Sequence, residues 1–199
     1  TDKSKLFDAV NRAKQMIIDQ VEKNKLQKNI DLDNNLNFEI IQSHILRRLI
    51  YNTISKDNID EQLKEHDLLI GNYIMASFEV NFSSDAEITT NRIFTIKKII
   101  AESFSIQLSF VLVLSKRHIC AIISTGDNID DSTVNDIKTD CREIIKIAHD
   151  ILNSSVSIGI SEIFQNIKEL DKAYHQSKLA LLNIFFEESV LSTYEDFNK

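Results

Sequence analysis

The sequence predicts a mixed α/β (α+β) fold, in which an N-terminal helical stalk precedes a sheet covered by helices on one face. Two observations lead to this prediction. Over residues 1–66 the apolar residues recur every three or four positions, as in helices, and no strand pattern occurs. From Leu68 onward, β-rich or alternating runs are separated by amphipathic segments in the order β-α-β-β-α-β-α-β. The complete absence of proline favours long, uninterrupted helices.

The first predicted helix, residues 4–26, carries one narrow apolar stripe. The stripe consists of Leu6, Val10, Ala13, Ile17 and Val21. So narrow a stripe suits either the seam of a two-stranded coiled coil, which would make the protein a homodimer, or a helix packed on its own domain. The pattern alone does not decide between the two.

Two further helices are predicted in the stalk. Residues 37–55 form the second helix, and a short third helix follows Asp57, which we expect to be its N-cap. The second helix is expected to bury Phe38, Ile41, His44, Ile45, Leu49 and Ile50. We therefore divide the chain into a helical connector, residues 1–66, and a sheet domain, residues 67–199.

Strands and helices alternate in the predicted sheet domain. The strands are residues 73–82, the two arms of a hairpin within 106–125 that turns at 115–117, residues 155–161 and residues 189–194. The helices are residues 89–104, 130–152 and 166–186. Gly159 interrupts the strand 155–161, and glycine in a strand often marks a close approach of another backbone. The small residues Ala173, Ser177 and Ala180 on the next helix are the candidates to approach it.

Composition excludes several classes of function. The chain has 23 basic and 30 acidic residues, a net charge of −7, which argues against this segment binding nucleic acid by itself. No apolar run approaches the ~18 residues of a membrane span, and residues 1–10 lack a signal-peptide core, so we expect a cytoplasmic protein without a membrane partner. Cys120 and Cys141 are expected to be buried, reduced thiols.

No catalytic, metal or cofactor motif occurs in the sequence. The glycine-rich nucleotide loops, the G-x-S-x-G elbow and H-E-x-x-H are all missing. The five histidines have no metal-ligand spacing. The acidic run 126–131, GDNIDD, lacks an oxygen ligand at Ile129 and a closing glutamate, so it is interpreted as a turn before a helix rather than a calcium loop. Arg47 and Arg48 are interpreted as a solvated helix flank. We therefore predict no catalytic residues, no metal and no cofactor.

Residues 155–196 carry a more specific pattern, SVSIGISEIFQNIKELDKAYHQSKLALLNIFFEESVLSTYED. The pattern resembles the degenerate GGDEF-like domain within AraC-type two-component response regulators, and a similar domain occurs in the PucR and CdaR groups. The matching positions include Ser157, Gly159, Ser161, Leu170, Ala173 and Tyr174. At lower specificity, residues 38–81 resemble the helical connector and first strand of those regulators, and residues 2–17 resemble the last helix of a receiver domain.

The resemblance implies a nucleotide-cyclase-like fold whose cyclase activity is lost. Active members carry a G-G-[DE]-E-F hairpin, and the equivalent residues here are Ser115, Lys116, Arg117, His118 and Ile119. Both glycines and both acids are replaced. The metal-binding aspartate of the first strand has only Glu79 and Asn81 as its nearest counterparts. One carboxylate without its partners would hold magnesium poorly.

The resemblance also implies the partners of this segment. The native chain would contain a receiver domain and a helix-turn-helix domain, and the segment would be a homodimeric, non-enzymatic signalling module in transcription regulation. The alternative is a regulatory domain that senses a small molecule or nucleotide through the degenerate site, where Lys116, Arg117 and His118 could bind an anion.

Overall fold

The computed structural model describes residues 37–54, 59–82, 90–104, 108–126, 131–187 and 190–198. The chain divides into two compact units, Thr1–Gln42 and Ser43–Lys199, and the sheet belongs to the second. The predicted stripe of Leu6, Val10, Ala13, Ile17 and Val21 lies outside the described residues, as does the Asp57 cap. The stripe and the division at residue 66 therefore stay predictions.

The observed elements follow the predicted order. The helices are α1 (37–50), α2 (Ile59–Glu65), α3 (Thr90–Ser103), α4 (Asp131–Leu152), α5 (Leu170–Glu187) and α6 (Tyr194–Phe197). The strands are β1 (Tyr73–Phe82), β2 (Leu108–Val113), β3 (His118–Ser124), β4 (Ser154–Phe164) and β5 (Leu191–Thr193). A 3₁₀ turn, Ile167–Glu169, leads into α5. The mixed α/β class is confirmed. None of the described helices is both long and apolar enough to span a bilayer.

The five strands of the described residues form one mixed sheet in the order β2-β3-β1-β4-β5. β1 lies at its centre and pairs antiparallel with both β3 and β4, while β5 joins β4 in parallel. The hairpin of β2 and β3 therefore forms one edge of the sheet. This order brings the start of β3 beside the middle of β1, with Glu79 opposite His118.

Helices cover both faces of the sheet, so the prediction of helices on one face was wrong. The alternate residues Ile74, Ala76 and Phe78 of β1 belong to the apolar cluster that includes α3 and α4. Tyr73 and Met75 point the other way and belong to a second cluster, formed with α1, α2 and the start of α5. The reason is that β1 is buried at nearly every position, and a central strand buried on both faces needs two covers.

Only the second half of α1 contributes to this core. Ile45, Leu46, Leu49 and Ile50 are buried, whereas Phe38, Ile41 and His44, which were expected to be buried, are exposed. Positions 45, 46, 49 and 50 form one helical face, and His44 lies two positions from Leu46, on nearly the opposite side. The set of buried residues predicted for this helix was therefore wrong in the first half of α1.

Gly159 brings α5 close to the sheet. A β-carbon on this residue would lie 2.1 Å from the carbonyl oxygen of Ser177 and 2.6 Å from the backbone nitrogen of Leu181. Val156 and Ile158 of β4 face α3 and α4, so Gly159 faces α5 by the alternation of the strand. The predicted close approach at Gly159 is confirmed, and it is a contact with helix backbone.

Candidate functional site

The β2–β3 hairpin occupies the position where the resemblance places the degenerate cyclase site. Its strands end at Val113 and begin again at His118, so the predicted turn at 115–117 is confirmed. The backbone nitrogen of Leu114 donates to the carbonyl of His118 at 2.8 Å, which closes the loop. Ser115, Lys116 and Arg117 are exposed at the tip, so the two cationic side chains stand in solvent.

His118 turns inward from the hairpin. Its ring meets the ring of Tyr174 on α5 edge to face, with 5.9 Å between centroids. Burial, and to a smaller extent the nearby Lys178 ammonium, lower the pKa of His118 to about 4. The imidazole is therefore neutral at neutral pH. The next residue, Ile119, is fully buried in the cluster under α3 and α4.

A chain of buried polar contacts runs from His118 to α5. The Nε2 atom of His118 lies 3.5 Å from the Sγ of Cys120, which lies 3.5 Å from the Oγ of Ser77. The Oγ of Ser77 lies 2.7 Å from the Oγ of Ser177, whose hydroxyl donates to the carbonyl of Tyr174 at 2.8 Å. These contacts connect β3, β1 and α5.

The end of this chain sets its direction. Because the carbonyl of Tyr174 can only accept, the hydroxyl of Ser177 is the donor there, and Ser77 then donates to Ser177. Following the same order, the thiol of Cys120 donates to Ser77, and His118 donates to the sulfur from Nε2. This series of hydrogen bonds places the proton of the neutral His118 ring on Nε2.

Neither thiol of the described residues is suited to nucleophilic chemistry. Burial raises the pKa of Cys120 to about 12, and it raises that of Cys141 as well. A thiolate is the reactive form, and both groups stay protonated at neutral pH. The expectation of buried, reduced thiols is confirmed.

The carboxylate that lies opposite His118 on β1 faces a lysine. Glu79 lies beside His118 on one side and Ser157 of β4 on the other. Its Oε2 is 4.0 Å from the Nζ of Lys178, with both side chains partly exposed. Among the described residues no three histidine, cysteine or acidic side chains are grouped as metal ligands would be. The first-strand carboxylate therefore serves a loose ion pair with α5.

The remaining positions of the resembling pattern lie in the sheet and at the start of α5. Ser161 accepts from the backbone nitrogen of Met75 at 3.0 Å, beside the irregular register of β1 and β4. Leu170 and Ala173, in the first turn of α5, are fully buried against the α1 side of the sheet. Tyr174 lies between His118 and Tyr51, its ring centroid 6.2 Å from that of Tyr51.

The structure adds Tyr51, Ser77 and Lys178 to the residues predicted from sequence. The sequence feature that could have identified Ser77 is its polar hydroxyl in the otherwise apolar centre of strand 73–82. Tyr51 and Lys178 had no signal, because their role depends on the packing of α1 and α5. Taken together, a neutral imidazole and a protonated thiol form a packed polar cluster. Beside it, Glu79 and Lys178 form a partly exposed ion pair, and the cationic hairpin tip faces solvent.

No family model matches the sequence, and no curated protein matches it. Among solved structures, the crystal structure of the regulator of polyketide synthase expression from Bifidobacterium adolescentis is similar, with 11% sequence identity and a TM-score of 0.40. The match covers 71% of this chain and 49% of that one, so this chain spans about half the length of that protein. A likeness of this strength assigns neither a family nor a function to this chain.

Proposed function

We propose that this segment is a non-catalytic signalling and dimerisation module of a DNA-binding two-component response regulator. It relays the state of a receiver domain to a helix-turn-helix domain of the same native chain. The observation that supports the absence of catalysis is the orientation of His118. This residue replaces the second acid of the cyclase hairpin, and its ring packs between Tyr174 and Cys120.

The positions shared with the resembling domains support the same proposal. Gly159 admits the backbone of α5, Ala173 of that helix is buried against the sheet, and Ser161 accepts from a backbone nitrogen of β1. Each of these roles concerns packing of the sheet and α5. The resembling pattern is therefore retained at positions that pack the fold. It differs at the hairpin positions that catalysis would require.

Contacts of α1 offer a physical path for the relay. The guanidinium of Arg47 donates to the carbonyl of Val113, at the base of the hairpin. Tyr51, directly after α1, meets Tyr174 of α5. A displacement of α1 would therefore reach both the hairpin and α5. Signalling domains use small helix shifts of this kind between two discrete arrangements.

Sedimentation velocity tests the dimerisation part of this proposal. The wild-type chain is compared with Ile17→Lys, which places a charge on the predicted stripe, and with Gln15→Lys, which adds the same charge off the stripe. We expect a dimer for the wild type and Gln15→Lys, and a monomer for Ile17→Lys. A monomeric wild type, or a dimeric Ile17→Lys variant, would contradict the prediction that this stripe is a dimer seam.

A GTP turnover assay tests the absence of catalysis. The full chain is incubated with GTP and Mg²⁺, and the products are separated by chromatography. We expect no cyclic dinucleotide, because the hairpin acids are replaced and Glu79 faces Lys178. Measurable product would overturn the interpretation of the hairpin.

A second candidate function is anion sensing at the hairpin. The observation that favours it is the contact of Arg47 with Val113, which places a third cation at the base of the hairpin whose tip carries Lys116 and Arg117. A thermal-shift screen with guanine nucleotides and phosphorylated metabolites tests it, since a ligand of the folded state raises the melting temperature. Stabilisation that disappears in a Lys116→Gln/Arg117→Gln variant would support sensing, and no stabilisation of the wild type would refute it.

A further inference from the structure

A cleft on the α1 side of the sheet is separate from the hairpin and has no part in the proposed function. It has a volume of about 380 Å³, at the small end of the range of roughly 300–1,000 Å³ that ligand pockets occupy. Its walls come from the end of α1 and the residues after it, the start of α2, the 3₁₀ turn and the first turn of α5. The lining residues are Leu49, Asn52, Ile54, Ile59, Lys168, Glu169, Asp171 and Lys172.

One part of the lining is aliphatic. Leu49 and Ile59 are buried, and Ile54 is half-buried beside them. These three side chains lie within ten positions of one another along the chain, whereas the charged part of the lining comes from residues 168–172. They offer a surface for a hydrocarbon body, which gains free energy by leaving water.

The charged part of the lining has one carboxylate outside the close ion pairs of the described residues. Lys168 forms an ion pair with Asp60, and the Nζ of Lys172 lies 2.6 Å from the Oε1 of Glu169. The half-buried Asp171 makes no close ion pair and no hydrogen bond within the described ranges, and Lys172 acts on its carboxylate only at longer range, more weakly than on Glu169. An anionic ligand would have to separate an existing pair, whereas a cation can approach Asp171 without separating one.

We propose that this cleft binds a small aliphatic primary amine in its ammonium form. The ammonium group pairs with Asp171, and the alkyl chain lies on Leu49, Ile54 and Ile59. Charge-assisted hydrogen bonds to a carboxylate give orientation, and the aliphatic wall selects chain length. Asp171 also stands in the first turn of α5, where a negative charge stabilises a helix, but that role does not require a cleft or an aliphatic wall.

Chemical-shift titration of the full ¹⁵N-labelled chain tests the proposal. The probes are n-butylammonium and n-hexylammonium, with hexanoate and 1-hexanol as the anionic and neutral controls. We expect hexylammonium to bind, with shifts confined to residues around the cleft, and each methylene to tighten binding by about fourfold. Equal binding of hexanoate or hexanol, or shifts centred elsewhere, would overturn the proposal.

Two variants of opposite effect make the test independent of any change in folding. Asp171→Asn should weaken hexylammonium binding by about tenfold or more, whereas the exposed control Asp136→Asn should leave it unchanged. Lys172→Gln frees Glu169 and should tighten binding. Unchanged affinity in Asp171→Asn would refute the role of its carboxylate, and weaker binding in Lys172→Gln would refute the charge argument.

Discussion

Replacement of Gly159 by alanine tests the packing of α5 on the sheet. The added β-carbon would lie 2.1 Å from the carbonyl oxygen of Ser177, 2.6 Å from the nitrogen of Leu181 and 2.9 Å from its Cγ. The closest C–H···O contacts in proteins have C···O distances of about 3.3 Å, so α5 would have to move by roughly 1 Å. Two of these three atoms belong to the helix backbone, so no rotation of a side chain can relieve the clash.

The expected loss of stability follows from two opposing effects. Overpacking costs about 1–3 kcal/mol, and a clash with backbone belongs at the upper end. Replacing a strand glycine recovers about 0.5–1 kcal/mol, because alanine loses less backbone entropy on folding. We therefore expect Gly159→Ala to lower the free energy of unfolding by about 2–2.5 kcal/mol.

Urea unfolding, followed by far-ultraviolet circular dichroism, measures this loss. With a urea dependence of about 2–3 kcal/mol/M, the midpoint should fall by about 1 M. Gly71→Ala is the matched control, because a β-carbon there meets nothing within 4 Å. We expect its free energy of unfolding to stay within about 0.5 kcal/mol of wild type. If Gly159→Ala unfolded at the same midpoint as Gly71→Ala, the close approach of α5 would be refuted.

Three further predictions concern the polar contacts of the sheet. Ser77→Ala and Ser177→Ala each leave a buried hydroxyl without its 2.7 Å partner, and each should lower the free energy of unfolding by about 1–3 kcal/mol. The double variant should lose less than the sum of the two single losses. Additive losses in urea unfolding would contradict the contact between the two hydroxyls. Ser161→Ala removes the acceptor of the Met75 amide, so hydrogen exchange of that amide should accelerate, and unchanged protection would argue against the bond. Because the pKa of His118 is lowered to about 4, the unfolded chain binds more protons between pH 4 and 6.5; the stability contributed by the neutral ring is complete above pH 6.5 and is lost as the pH falls toward 4, by up to about 3 kcal/mol. His118→Gln should remove this part of the pH dependence of urea unfolding, and an identical dependence in both proteins would refute it.

Local patterns were sufficient for the element order and for one packing contact. The strand 73–82 and the helix ending at Leu152 agree with the structure because side-chain periodicity directly reflects which residues are buried. Gly159 was identified because glycine weakens a strand, and a following helix with small residues can approach it closely. The first half of α1 was misjudged, since Phe38 and Ile41 are apolar but exposed, and periodicity cannot distinguish a stripe that is covered from one that is not.

The sequence by itself therefore determined the classes of the elements, their order and the need for a close helix at Gly159. Only the tertiary structure decided which face of the sheet each helix covers, how His118 reaches Ser177 through Cys120, and where the cleft beside Asp171 lies. The physical reason is distance along the chain. Burial leaves a local periodic signal, whereas Ser77 and Ser177, one hundred positions apart, meet only when the sheet and α5 have formed.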